Sequence, residues 1–180
     1  GRKLEDSRTS DAGDVKMTED ALKTEMPRPS SPMVFVDADA CPVREEAIRV
    51  ALRHKIGLRF VANQYLRLPD HPLLAMHLVG DGFDAADDAI IAGLEAGDIV
   101  VTGDILLAER ALKSGAQVIS PKGHAYTMDT IGAQVATRAL MADLRAGLPQ
   151  EGAPSGPRPF AKADRSRFLE RFDLMLRRAK

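Results

Sequence analysis

The chain has no tryptophan, and aromatic residues make up only 4% of it. A row of aromatic platforms for stacking bases is therefore not the expected mode of action. It has one cysteine, Cys41, which excludes an internal disulfide framework and fits a reducing compartment. The four histidines, His54, His71, His77 and His124, have no metal-ligand spacing and no paired cysteines beside them, which argues against a zinc centre. No apolar run approaches membrane-spanning length, and the first residues lack the apolar core of a secretory signal. The expectation is a soluble cytoplasmic protein with no membrane partner. No internal repeat is apparent, and nothing in the chain bears on oligomeric state.

What is present is enough for one domain with extensions: 180 residues, 44% of them hydrophobic. The net charge of −1 hides an asymmetry. Residues 33–157 carry 11 Lys and Arg against 16 Asp and Glu, whereas residues 158–180 carry 8 against 3. An acidic body with a basic C-terminal segment suggests a site crowded with carboxylates and a separate surface suited to phosphates. The plainer reading is that the basic segment packs on the body and the two neutralise one another.

Residues 1–32 are polar and punctuated by Pro27, Pro29 and Pro32, and are expected to be a disordered tail. Met33-Val34-Phe35-Val36 is a short apolar run that reads as a buried strand. Helical spacing follows from Pro42, with Gly57 as its stop. Leu58–Ala62 is a second strand and Leu73–Val79 a third. The link between them is too short for an ordinary helical crossover, so that pair is antiparallel or joined by an irregular loop. A helix capped by Asp84 runs to Gly97. A strand then covers Asp98–Thr102, with Asp98 facing solvent. A helix over Ile105–Ser114, a strand over Gln117–Ile119 and a long helix over Thr127–Arg145 complete the domain, residues 33–146. A Gly/Pro-rich linker, 147–162, leads to a basic amphipathic helix, 163–180, that packs on the domain through Phe168, Leu169, Phe172 and Leu176. Alternating strands and helices define an α/β fold with a mainly parallel central sheet of about five strands flanked by helices.

The chemistry concentrates in the acids. Asp37 and Asp39 stand two apart just past the first strand, so an extended backbone aims both at one point. Asp84, Asp87 and Asp88 follow the third strand, and Asp104 follows the fourth. In a parallel sheet these strand ends share one edge, where ligands bind. Clustered carboxylates repel unless a hard cation such as Mg²⁺ or Mn²⁺ sits among them, and carboxylate-bound metals support attack of water on a phosphodiester. Each acid also has an ordinary structural role: Asp84 and Asp104 as helix caps, Asp87 as a first-turn acid. Asn63 either binds substrate or caps its loop. Lys122 either holds a phosphate or is a loop lysine. Cys41 lies near a helix start that would lower its pKa, but a small buried thiol is the favoured reading.

Five motifs in register carry a resemblance: Val36-Asp37-Ala38-Asp39-Ala40-Cys41-Pro42, Val61-Ala62-Asn63-Gln64, Gly82-Phe83-Asp84-Ala85-Ala86-Asp87, Ala96–Asp104 and Ser120-Pro121-Lys122-Gly123. Together they resemble the bacterial YaiI/YqxD family, from Met33 to the C-terminal helix. That family is similar in turn to PIN-like nuclease domains, which implies a PIN-like three-layer sandwich and Mg²⁺- or Mn²⁺-dependent cleavage of RNA or DNA. The resemblance makes Asp37 the strand-one acid, Asp87 or Asp88 the helix acid and Thr102-Gly103-Asp104 the Thr-x-Asp turn. It departs at Leu106, where many PIN domains have a further acid, a charge that Asp39 would supply. The expected assignment is Asp37, Asp39 and Asp104 as catalytic residues. Asp37, Asp39, Asp87, Asp88 and Asp104 would be metal ligands, with Asn63, Thr102 and Lys122 at the substrate. Two alternatives compete. Asp37-x-Asp39 after an apolar strand also resembles the nucleophile motif of haloacid-dehalogenase-type phosphatases. The basic C-terminal helix, with Leu106, suits a non-catalytic nucleic-acid-binding or regulatory module with a vestigial metal site.

Overall fold

The computed structural model describes residues 28–39, 41–82, 84–147 and 159–179. Residues 1–27 of the expected tail and 148–158 of the expected linker lie outside the described residues. In chain order the elements are β1 (Val34–Asp37), α1 (Arg44–Arg53), β2 (Leu58–Ala62), β3 (Leu74–Leu78), α2 (Ala85–Gly93), β4 (Ile99–Val101), α3 (Ile105–Lys113), β5 (Gln117–Ile119), β6 (Ala125–Tyr126), α4 (Met128–Gly147) and α5 (Lys162–Ala179). The sheet order is β3-β2-β1-β4-β5-β6. The first five strands are parallel, and β6 runs antiparallel to β5.

The central strands are apolar along their length because both faces are covered. Side chains still alternate. Val34, Val36, Ile99, Val101 and Ile119 pack under α1 and α5, whereas Phe35, Val100 and Val118 pack under α2, α3 and Ile131 of α4. The result is a three-layer α/β sandwich. Helix α5 is an integral part of it: Phe168 and Phe172, one turn apart, are fully buried and stack with ring centroids 5.0 Å apart. Burial of rings that size contributes roughly 3 kcal/mol each. No helix among the described residues is long and apolar enough to cross a membrane.

Of the two alternatives for the link between β2 and β3, the irregular connection is the one found: the strands pair in parallel, Leu58 opposite Leu74 through Ala62 opposite Leu78, and an irregular segment over 63–73 makes the crossover. Other local expectations are corrected. A sixth strand, β6, closes the edge. Two residues are too few to show an alternating pattern. Gly57 does not end α1. His54 caps it, Lys55 takes the left-handed turn (φ 57°), and Gly57 is needed because a Cβ there would stand 2.6 Å from the Pro29 ring. The His54 side chain is 11% exposed, and its Nε2 lies 2.6 Å from Asp173 of α5. Asp84 occupies the N-cap position of α2 but is left-handed (φ 62°) and makes no capping bond. Helix α2 stops at Gly93 rather than Gly97.

Asp98 is the largest correction. It does not face solvent; it is 1% exposed. Its carboxylate accepts from the Met33 N–H (2.9 Å), the Glu95 N–H (2.8 Å) and the Arg28 guanidinium (2.7 Å). Arg28 also donates to the Gly93 carbonyl, and the Ser30 hydroxyl accepts from the Gly57 N–H. Among the described residues, packing thus begins at Arg28, five residues before Met33, where the domain was expected to open. A buried carboxylate with three donors is stabilising as a set; removing it leaves two N–H groups unpaired and Arg28 with only the more exposed Glu95, 3.3 Å away, as its carboxylate partner. Asp98→Ala is expected to lower the unfolding free energy by about 3 kcal/mol or more, read from the shift of the urea midpoint at constant m-value. A shift under about 1 kcal/mol would show that the N-terminal tie carries no weight.

Candidate active site at the sheet edge

β1 lies between β2 and β4, and the chain crosses from one side of β1 to the other only after β3. That arrangement opens a crevice at the C-terminal ends of β1 and β4. Asp37 is the last residue of β1, in register with Val61. Thr102 follows β4 and is buried. Its hydroxyl donates to Asp37 Oδ2 at 2.9 Å and accepts from the Asp104 N–H at 3.0 Å. One side chain therefore fixes both the strand-one acid and the turn that presents Asp104.

Asp104 is the N-cap of α3, accepting from the Leu106 N–H at 2.9 Å and, more weakly, the Leu107 N–H at 3.5 Å. Arg138 of α4 reaches the same oxygen at 3.6 Å. These contacts all fall on Oδ1. Asp39 is exposed and accepts from the Asn63 backbone N–H at 3.0 Å. Asn63 thus serves the loop through its main chain, while its side chain is open to solvent. Lys122 is half-buried in the loop leaving β5, and its carbonyl accepts from Arg167.

The acids feel one another. Burial pushes the Asp37 carboxyl above the usual carboxylate range; the Thr102 bond opposes this, and Asp104 and Asp39 add to it. Asp87, in the first turn of α2, is pushed up to about 6 by burial and then by Asp104, Asp37 and Asp84, against the pull of Arg110. Burial and then Asp104 also raise Tyr126. Asp87 is accordingly the helix acid that shares the crevice. Asp88 is exposed and ion-paired with Arg110 at 3.0 Å. Consecutive helical residues point about 100° apart, so only one of the pair can face Asp37.

Two further side chains enter the site that the sequence reading did not include, Arg138 and Tyr126. Both come from segments far along the chain, with no local pattern to mark them. Leu106, the second residue of α3, is 47% exposed. Cys41 is a buried thiol raised by burial to about 11, an inert group rather than a nucleophile.

A hard cation fits the donor chemistry: four carboxylates from three strand ends, two of them, Asp37 and Asp87, raised first by burial and then by neighbouring acids. Among the described residues, however, no three His, Cys, Asp or Glu side chains already stand close enough to hold an ion.

Fold and site together define a three-layer α/β protein with a carboxylate crevice at the switch point of a parallel sheet. The chain belongs to the YaiI/YqxD family, the family of uncharacterized bacterial proteins whose model matches residues 35–178. It is 57% identical to the UPF0178 protein of Jannaschia sp. (strain CCS1), over 82% of this chain and 94% of that one. It is also 57% identical to the UPF0178 protein of Sphingopyxis alaskensis, over 84% and 97%. Identity to the counterpart from Bradyrhizobium diazoefficiens is 49%, over 81% and 85%. No solved structure matches significantly.

Asp87 provides a test of the crowding. Its folded-state pKa of about 6 lies above the ordinary carboxylate value of 3.8, so its ionisation weakens the fold as pH rises from roughly 4 to 6, and the loss is complete above that window. Asp87→Asn should raise stability at pH 7.5 by about 1 kcal/mol, after allowance for solvent screening, and leave it unchanged near pH 4. Thermal melts across pH 4–8 measure this. Equal melting shifts at both ends would mean that Asp87 is not charge-frustrated.

Proposed function

We propose that this protein is a divalent-metal-dependent phosphodiesterase acting on RNA or DNA. The observation that supports the reading best is the mutual repulsion of Asp37, Asp87 and Asp104 across a crevice at the switch point. Native folds do not keep such a cluster half-buried for stability; it weakens the fold until a cation joins it. Asp37, Asp39, Asp87 and Asp104 would hold Mg²⁺ or Mn²⁺, which when bound polarises a phosphoryl oxygen and acidifies water. Asp88, engaged by Arg110, is the weaker candidate.

The chain's own residues divide the remaining work. Thr102 holds Asp37 at one rotamer and sets the turn before Asp104. The α3 N-terminus holds the Asp104 carboxylate in place through the Leu106 N–H. Arg138 neutralises part of that charge and is exposed enough to meet a phosphate oxygen instead. Thr102 then acts by positioning the acids, while Asn63 and Lys122 remain on the edge where a substrate strand would lie.

A second reading, a nucleic-acid-binding module without catalysis, is favoured by two observations: the missing three-ligand cluster and the Arg138–Asp104 pair, in which an arginine takes a cation's place. The phosphatase reading is weaker, because Asp37 is bonded to Thr102 and pushed toward its neutral form, which is unsuited to a nucleophile.

Mn²⁺ decides between the first two. On the hydrolase reading, 1 mM Mn²⁺ raises the melting temperature and supports cleavage of a labelled single-stranded oligonucleotide. Asp37→Asn should remove the shift and slow cleavage by more than about 100-fold. Binding of the oligonucleotide with neither a Mn²⁺ shift nor cleavage would establish the non-catalytic module.

A further inference from the structure

Helix α5 carries Lys162, Arg165, Arg167, Arg171, Arg177 and Arg178 against Asp164, Glu170 and Asp173. Its first turns lie on the same sheet edge as the acidic crevice. On one flank, Arg167 donates to the Lys122 carbonyl at 3.1 Å, in the loop that leaves β5. Gly123 (φ 88°) presses this loop onto α5 so closely that a Cβ would stand 2.5 Å from the Phe168 nitrogen. Pro121 of the same loop lies against Gly103, one residue before Asp104. On the other flank, Arg165 pairs with Glu46 in the first turn of α1. Glu46 lies in the first turn of the helix that β1 leads into, so this pair borders the β1 end of the crevice.

Both guanidinium groups are held from behind. Arg165 is fixed by Glu46 and by the face of Phe160, 5.2 Å from its ring centre. Arg167 is fixed by the Lys122 carbonyl and by Asp164 Oδ1, at 3.1 Å each. The side chains nevertheless remain 43% and 40% exposed. An arginine has five N–H donors, and each anchor uses one or two. Glu46 is 5% exposed, and among the described residues its Oε2 has no hydrogen-bond partner. A buried carboxylate supported by one surface arginine is a poor device for stability; its effect is to hold Arg165 in one orientation.

We propose that Arg165 and Arg167 form a preorganised phosphodiester-binding pair that lays a nucleic-acid strand across the sheet edge beside the carboxylate crevice. This rests on the nucleic-acid reading above and names the surface that would carry the strand. Fluorescence anisotropy with a single-stranded oligonucleotide in EDTA, over 50–300 mM salt, tests it apart from catalysis. Arg165→Gln is made together with Glu46→Gln, so that no buried charge is left unpaired. Arg167→Gln and the conservative Arg167→Lys are made alone, and Arg178→Gln at the far end of α5 is the control. Each crevice-side loss should weaken binding about tenfold and lower the salt slope by about 0.7. Arg167→Lys should fall in between, and Arg178→Gln should bind like wild type. Wild-type affinity and slope in the crevice-side variants would overturn the proposal. So would an equal loss in Arg178→Gln, or no salt-dependent binding by the wild type. Mn²⁺-dependent cleavage with unchanged binding in these variants would sink the pair and leave the hydrolase reading. Arginine-dependent binding without cleavage would do the reverse.

Discussion

The hydroxyl of Thr102 is the joint on which the crevice depends. It donates to the acid ending β1 and accepts from the turn that starts α3. Without it, the two strands at the switch point would present their carboxylates independently, and each would rotate away from the other. Repulsion between Asp37 and Asp104 opposes the arrangement. A neutral hydroxyl that bonds both sides is a device that tolerates this, because it orients the acids without cancelling their charge. A lysine in its place would neutralise the pair and fill the space.

The contrast with Asp98 sharpens the point. Both edges of the parallel sheet, at the N-terminal and at the C-terminal ends of its strands, carry buried or half-buried acids. At the N-terminal end, Asp98 is surrounded by donors and paired with Arg28, so that its charge is consumed in joining residues 28–33 to the sheet. At the C-terminal end, Asp37 and Asp87 are surrounded by other acids. The same residue type, buried to a similar purpose in composition terms, stabilises the fold at one end and weakens it at the other. Helix α5 supplies compensation on the face under α1: two stacked phenylalanines lock it to the sheet, which leaves its arginines to be used along the edge.

What could be read in the sequence was what short-range pattern encodes. The apolar runs of β1, β2, β4 and β5, the parallel α/β alternation and the Asp37–Asp39 pair at a strand end all depend on spacings of a few residues. The features that could not be read depend on distant partners. Asp98 is defined by Arg28, seventy residues earlier, and Asp104 by Arg138 on α4. The choice between Asp87 and Asp88 needed the direction of α2 relative to β1. β6 has only two residues, and His54 is tied down by Asp173 on a helix beyond the linker.

Leu106 tests how these parts combine. Its side chain stands at the mouth of α3, exposed, while its N–H holds Asp104. An acid at that position would sit on the same helix turn as Asp104 and add a further like charge to a crevice that already raises Asp87 to about 6. On the proposed metal-binding reading the extra carboxylate would instead be Asp39, on the extension of β1 and fastened to the Asn63 N–H of the neighbouring strand end. Moving the charge across the crevice spreads the acids over three strand ends rather than crowding them on one helix. It also leaves the α3 side apolar at Leu106, beside the point where Arg138 reaches Asp104. Arg138, half-exposed and 3.6 Å from Asp104, would therefore meet an incoming phosphate with part of its charge already offset by that carboxylate.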